Sequence, residues 1–350
     1  MGYRAGENSQ LLALAEALEW PFEVKRLTYR CYDFLPGLLR RPSLLGIRQQ
    51  ASSPLRAPWP DLVISAGMRN EPVCRWIRQQ SGGLSKLVYI GRTWANRALF
   101  DLIITTPQYR LPQRHNILHN ATTLQGVKTT RLQEAAAAWR PQLAHLPAPY
   151  ICVIIGGNSG PCTFGRRAAE QLAGEACAMA RANNGSLLVT SSARTPPDAL
   201  KHFVTAIDCP MQLYRWQSND KDNPYYAFLA LARHIIVTSD SIAMISEACA
   251  TGKAVAIFDL DPEEKSGKQR DFRLGAVLYR LLMRFGPRRL SRDIRLVHRQ
   301  LIASGHAISL GQALPPHPPP PLQDVQRATC RVRELLLKAE NPCPQGASRS

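Results

Sequence analysis

Short apolar runs alternate with amphipathic stretches along most of this chain. Leu11–Leu18 carries a strong helical pattern, and the polar, Gly-containing stretch Gly2–Gln10 before it reads as a loop. Such loops usually follow a buried strand, so the pattern predicts a first strand that is missing ahead of Gly2. Glu23–Tyr29 alternates and predicts a strand, whereas Arg40–Pro60, rich in Pro, Ser and Arg, predicts an exposed loop. Further strands are expected at Asp61–Gly67, Lys86–Ile90, Phe100–Thr105 and His115–Leu118, with a helix over Pro72–Gln80. A helix from Lys128 to Ala144 leads into Leu146-Pro-Ala-Pro149, where the first domain boundary is placed because helices rarely run through such a link.

A second alternating series starts at Tyr150. Its strands are expected at Tyr150–Ile155, Ser186–Thr190, Met211–Trp216, His234–Thr238 and Ala254–Phe258. Helices are expected between them at Arg166–Asn183, Ala199–Ala206, Tyr225–Ala232 and Ala243–Thr251. Strands alternating with helices predict parallel sheets, and hence an α/β chain of two Rossmann-like, doubly wound domains. Helices at Arg270–Phe285, Arg292–Ser304 and Asp324–Glu340 follow, and Pro315–Pro321 predicts a polyproline II spacer. The expected organisation is an N-terminal domain over 1–147, a C-terminal domain over 148–264, a basic helical region over 265–310 and a spacer with tail over 311–350.

No apolar run reaches the roughly 18 residues of a membrane span. The first residues lack the apolar core of a signal peptide. The nine cysteines include no C-x-x-C pair, which argues against a zinc cluster or a disulfide framework and for a reducing cytoplasm. Charge adds a partner. Lys and Arg number 44 against 26 Asp and Glu, and Lys265–Arg299 alone holds 11 basic and 2 acidic residues. That excess predicts an anionic partner. Nucleic acid is disfavoured, because no RNP, KH or aromatic-interleaved basic motif is present. An anionic membrane surface, met through 265–299, fits better and places the protein in the cytoplasm, peripheral on the inner membrane face.

Three segments at predicted strand ends can carry chemistry. Ile154–Gly160 ends a buried strand in Gly156, Gly157 and Asn158, so the backbone can approach a phosphate near a helix N-terminus. The lysine and spacing of a P-loop are absent, as is G-x-G-x-x-G. Val189–Pro196 offers several hydroxyls, among them Ser192, and the guanidinium of Arg194. In Asn223–Val255, a strand ends at Ser239, Asp240 and Ser241 and opens a helix bearing Glu247, a carboxylate able to accept the two hydroxyls of a ribose. In the first domain, Gly6–Gln10, Gly67–Asn70 and Gly91–Thr93 hold Glu7, Arg69 and Arg92 at expected strand ends. His115 and His119 have no carboxylate close in sequence, so no metal site is expected.

Taken in order, several of these pieces resemble a family of glycosyltransferase-like proteins that includes the plant "elongated mitochondria" fission factor and bacterial relatives. The matching pieces are Gly6–Gln10, Phe100–Ile104, Ile155–Asn158, Ser192–Pro196, Asn223–Tyr225 and Val237–Ser241 through Ser246–Ala248 to Thr251–Lys253. The resemblance spans about residues 2–260 and implies a GT-B-like pair of domains facing across a cleft. It further implies that Glu247 holds the ribose of a nucleotide sugar. Ser192-Ala193-Arg194 stands where the family commonly has two arginines, which removes one phosphate contact. The implied function is transfer of a sugar from a nucleotide-diphosphate donor, with no cofactor and no metal required, to a lipid-linked or cell-envelope saccharide. Gly156, Gly157, Asn158, Ser192, Arg194, Ser239, Asp240, Ser241 and Glu247 would form the donor site, and Glu7 is the candidate base. The alternative is a non-catalytic GT-B-like adaptor that binds protein or membrane partners.

Overall fold

A computed structural model describes residues 1–2, 4–30, 41–218, 220, 222–261, 271–287, 290–313, 320 and 322–340 of the 350-residue chain. Contacts divide it into two compact units, Met1–Gly126 with the segment from Gln323 onward, and Val127–Leu322. No helix among the described residues is long and apolar enough to cross a membrane.

The first unit opens with helix α1 (Ala5–Leu18). The expected loop over Gly2–Gln10 is therefore helical from Ala5 onward. Its turn-forming residues occupy the first turns, where Glu7 suits the positive end of the helix dipole. Burial of Leu11, Leu14 and Leu18 holds the helix in place. Four parallel strands follow in consecutive order: β1 (Leu62–Ala66), β2 (Lys86–Ile90), β3 (Leu102–Thr105) and β4 (Ile117–His119). Helix α2 (Glu71–Gln80) links β1 to β2. Side chains alternate across the sheet, as strand geometry requires. Val88, Ile90, Leu102 and Ile104 join the α1 core, and Leu87, Tyr89 and Ile103 join a cluster with Cys74 of α2.

Glu23–Tyr29 is not a strand. Its backbone makes one rung with Met1, in which the Met1 amino group donates to Lys25 and Leu27 donates to Met1. Tyr29 also forms an isolated antiparallel bridge to Ile47. Alternation is present there, but a continuous partner strand is not found among the described residues. Between this segment and β1 lies a cavity of about 1150 Å³, lined by Leu11, Trp20, Phe22, Trp59, Leu62 and Ile77 among others.

The second unit contains a six-stranded, wholly parallel sheet. Its strands are β5 (Tyr150–Ile154), β6 (Ser186–Thr190), β7 (Met211–Tyr214), β8 (Ala232–Thr238), β9 (Ala254–Phe258) and β10 (Ile308–Ser309), in the order β10-β9-β8-β5-β6-β7. This is the Rossmann order, with its switch point between β5 and β8. The helices are α3 (Thr129–Trp139), α4 (Arg166–Ala182), α5 (Pro197–Thr205), α6 (Tyr225–Leu231), α7 (Ile242–Ala250), α8 (Leu274–Phe285) and α9 (Arg295–Ala303). Helix α4 turns Ala169, Leu172, Ala173, Ala176 and Ala180 inward, a stripe of mostly small residues at helical spacing that permits close approach to the sheet.

These contacts move the boundaries read from sequence. Helix α3 belongs to the second unit, because Trp139 packs edge-on against Phe228 of α6 at 6.0 Å between ring centroids. The region after 265 is not a separate layer, since Val297 and Leu301 of α9 are fully buried in the second core and β10 pairs with β9. The last helix, α10 (Asp324–Glu340), returns to the first unit, where Ala328 and Val332 are fully buried in the α1 core. The expected spacer at Pro315–Pro321 lies, apart from Pro320, outside the described residues, as do Lys265–Arg270 of the basic stretch.

Candidate functional site

The C-terminal ends of β5 and β8 meet at the switch point, and sequence-distant loops converge there. Beyond β5, the Gly156 amide donates to Thr238 Oγ1 at 2.8 Å. The Gly156 carbonyl accepts from Ser192 and Thr195. A Cβ at Gly156 would lie 2.2 Å from the Asp240 carboxylate, and one at Gly157, where φ is +147°, would lie 2.1 Å from the Arg194 carbonyl oxygen. Both positions need glycine because two other loops press against the backbone.

Asp240 is the hub of this junction. It is buried, and it accepts from Thr238 Oγ1 at 2.7 Å and from the Gly157 amide. Arg194 Nη2 stands 2.8 Å from its Oδ2. Burial pushes the Asp240 carboxyl above the ordinary aspartate range, opposed by Arg194 and by the hydrogen bonds it accepts. Asn158 donates its amide to the Arg194 carbonyl at 3.3 Å, and its side chain accepts from the Phe164 amide at 3.0 Å.

This geometry corrects the expected manner of ligand contact. The amides of Gly156, Gly157 and Asn158 are directed into the protein's own loops, not outward toward a diphosphate. Ser239 is buried as well. Its hydroxyl donates to Asp259 and accepts from the Leu260 amide at 2.9 Å, tying the end of β8 to the end of β9. Ser192 Oγ is likewise spent on Gly156. Arg194, 39 % exposed, is the cation of the junction that reaches the surface. Ser241 occupies the cap position of α7 and its hydroxyl makes no capping bond.

Glu247 lies six residues beyond Ser241, about 9 Å along the axis of α7. It is half-buried, and Tyr225 at the start of α6 donates its hydroxyl to Glu247 Oε2 at 2.5 Å. Tyr226 stacks edge-on against Tyr225, and the Arg131 guanidinium of α3 sits 3.9 Å from the centroid of the Tyr226 ring. Burial raises the Glu247 carboxyl above the usual glutamate range, while Tyr225 and Arg131 pull it back.

Sequence reading missed several of these partners. Tyr225 belongs to a quoted motif, but nothing in the sequence assigned it to Glu247. Thr238 and Thr195 stood inside quoted segments, but nothing in the sequence assigned them to Gly156 and Asp240. Lys253 is also undersold by its position in a turn. Its Nζ donates to the carbonyls of Leu229, Ala230 and Ala232, closing the end of α6.

The first unit gathers Glu7, Gly67, Gly91, Arg92, Thr105 and Thr122 around a separate pocket of about 140 Å³ at the strand ends. Glu7 pairs with Arg4 at 3.2 Å and presses against Gly67, where φ is +82°. Arg69 lies over the Tyr29 ring and Arg92 over the Tyr109 ring. The unforeseen organiser is buried Glu71, which accepts from the amides of Trp94 and Ala95 at 2.7 and 2.8 Å and fixes the loop after β2. His115 and His119 are not brought into a ligand set. Among the described residues, the grouping dense enough for a metal ion is Cys177, Asp208 and Cys209, far from this chemistry in sequence.

The basic stretch is partly turned inward. Arg273 donates to the carbonyls of Gly160 and Cys162, Arg280 to Pro161 and Asp261, and Arg292 to Ser159. Three arginines thus brace the loop that follows Asn158.

Two parallel-sheet units, the second in Rossmann order with a carboxylate, a guanidinium and a helix N-terminus at its switch point, define a two-unit α/β protein. The chain belongs to the mitochondrial fission ELM1 family, which it matches over residues 5–336. It is similar to "Mitochondrial fission protein ELM1" of Arabidopsis thaliana, 27% identical over 238 residues, which are 62% of this chain and 55% of that protein. The chain thus spans about half the length of the plant relative. It is also similar to "Uncharacterized protein RP120" of Rickettsia prowazekii, 25% identical over 290 residues, 73% of this chain and 80% of that one. Among solved structures, the S. aureus MnaA-UDP co-structure aligns with 100% of this chain and 98% of its own, at 12% identity and a TM-score of 0.48.

Proposed function

We propose that this chain is a glycosyltransferase that binds a nucleotide-diphosphate sugar at the switch point of its second unit. The observation that carries this reading is the placement of Glu247. A half-buried carboxylate, oriented by Tyr225, stands one and a half turns along a helix whose N-terminus lies beside Arg194. That spacing suits a ribose at Glu247 and a diphosphate at the amino end of α7. Positive charge for the leaving diphosphate comes from the helix dipole and Arg194. Arg194 must leave Asp240 to do so. The burial that favours a neutral Asp240 lowers the cost of that exchange. The pocket holding Glu7 and Arg92 is assigned to the acceptor, with Glu7 as candidate base, and the acceptor class is a lipid-linked or cell-envelope saccharide.

The second reading is a non-catalytic adaptor. The inward-turned amides of Gly156–Asn158 favour it, as does the name of the plant relative, which speaks of fission and not of transfer. Thermal-shift measurements with UDP, GDP, CDP, TDP and ADP, run beside Glu247→Ala, separate the two. A ligand at 100 times its dissociation constant adds about 2.7 kcal/mol. One diphosphate stabilising the wild type and not the variant supports the enzyme. No shift with any of the five supports the adaptor.

A further inference from the structure

Helix α8 exposes a continuous apolar stripe. Leu274, Leu278, Leu281 and Phe285 are spaced by four, three and four residues and so share one face. With neighbouring Phe272 they are 49–82 % exposed. The opposite face holds the helix to its own unit. Ala276 is fully buried, Tyr279 accepts from the Arg292 amide at 2.9 Å, and Arg280 reaches Pro161 and Asp261. The stripe is therefore not a core face that has come loose, because the face belonging inside is already there.

Charge decides what covers the stripe. Helix α8 carries no acidic residue and exposes Arg284, while its other arginine, Arg280, is paired with Asp261 on the inward face. Among the described residues, the acidic groups nearest in sequence are held inward, while Glu263 and Glu264 lie outside the described residues. Asp271 accepts the amides of Gly165, Arg167 and Ala168 at the start of α4, Asp261 pairs with Arg280, and Asp293 pairs with Arg295. Arg273 and Arg292 are bonded to uncharged oxygens, so these bonds do not cancel their charge. An apolar stripe on a basic surface is the composition of a helix that lies in a bilayer interface, with its apolar face among the acyl chains and its cations among anionic headgroups.

We propose that α8 is an in-plane membrane anchor for anionic phospholipid bilayers. This deepens the lipid-linked acceptor of the reading above. Nucleotide binding and bilayer binding have separate readouts, so either can fail alone.

The test is flotation of the full chain with vesicles of pure phosphatidylcholine and of phosphatidylcholine mixed with anionic phosphatidylglycerol. The Leu278→Glu/Phe285→Glu double variant runs beside it. These side chains are exposed, so the variant keeps the wild-type melting temperature. The expected result is flotation with the anionic vesicles, a partition coefficient at least about tenfold lower for the double variant, and residual wild-type binding at high salt. Equal flotation of the variant overturns the proposal. So does absence of flotation together with a dimer on size exclusion that the variant dissolves, since the stripe is then a protein interface.

Discussion

Tyr225 and Glu247 stand twenty-two residues apart in the chain and are joined by a 2.5 Å hydrogen bond from phenol to carboxylate. The bond stabilises the ionised glutamate, against a burial that favours the protonated form. If Glu247 holds a ribose through its charged carboxylate, nucleotide affinity falls as pH drops through its raised pKa. Tyr225→Phe removes a contribution that lowers that pKa. The acid limb of binding therefore moves to higher pH, with a loss of affinity along that limb. Calorimetric titration across pH 5–8 checks this, and an unmoved limb would show that Tyr225 does not tune Glu247. For stability the sign is separate. A raised carboxyl contributes stability that is present at low pH and is lost as pH rises through the folded-state pKa.

The Arg194–Asp240 pair makes a related prediction. Arg194 lowers the pKa of a buried carboxyl that burial has raised. Arg194→Ala leaves that carboxyl higher still, so the loss of stability grows as pH rises through it. We expect about 1–2 kcal/mol at pH 8 and markedly less at pH 5, below the 3–5 typical of a fully buried pair because Arg194 is part-exposed. Urea melts at the two pH values measure it, and a pH-independent difference would refute it.

Gly157→Ala tests the junction without touching a charge. The new methyl would meet the Arg194 carbonyl at 2.1 Å, in a backbone conformation that side chains rarely adopt. A loss of about 2–3 kcal/mol is expected. A melting temperature within a degree of wild type would show that the loops are not pressed together as described.

Lys253 supplies a prediction in the alkaline range. Burial lowers its ammonium to about 8, from an ordinary value near 10.5. A depressed base contributes stability that is present above its unfolded pKa and is lost as pH falls through the folded one. The stability of the wild type relative to Lys253→Met should therefore decline between pH 10.5 and 8 and then level off. Against that trend, the methionine leaves three carbonyls at the end of α6 without their donor. Parallel denaturation curves of the two proteins, subtracted at each pH, give the answer.

What the sequence disclosed and what it hid divide along a physical line. Strands such as Lys86–Ile90, Ser186–Thr190 and Ala254–Phe258 were legible to the residue, because a buried parallel strand has little freedom to be anything but apolar. Glu23–Tyr29 alternates as a half-buried strand would, but no continuous partner is found for it among the described residues, and a local pattern cannot report that. The loops beyond β5, β6 and β8 were marked as strand-end loops by their glycines and hydroxyls. Which way their amides point was not legible, since that depends on Asp240 and Arg194 arriving from 84 and 38 residues away. The same distance hid Glu71 behind the loop at Trp94 and Ala95. The return of α10 to the first unit was hidden because helix periodicity shows which face is buried, and not against what.

Asp324 tests that return directly. Its carboxylate accepts from the Ala121 and Thr122 amides at 3.1 and 2.7 Å and from the Thr122 hydroxyl at 2.8 Å. Asp324→Ala should cost about 2–4 kcal/mol, because each orphaned buried donor costs about 1–3 kcal/mol. Hydrogen exchange should then quicken in β3, β4 and α1 and leave β5–β9 unchanged. Uniform acceleration through both units would contradict the division of the chain.

The placement of α10 also governs how this protein is made. A ribosome delivers the chain from its amino end, and domains usually fold in the order they emerge. Here the second unit is a continuous stretch and is complete once residue 322 has cleared the exit tunnel. The first unit must wait, with the α1 surface that Ala328 and Val332 will cover still bare, until α10 has emerged as well. Birth order and folding order are thus inverted, and while the second unit is being made the amino-terminal third of the chain stands with its core uncovered.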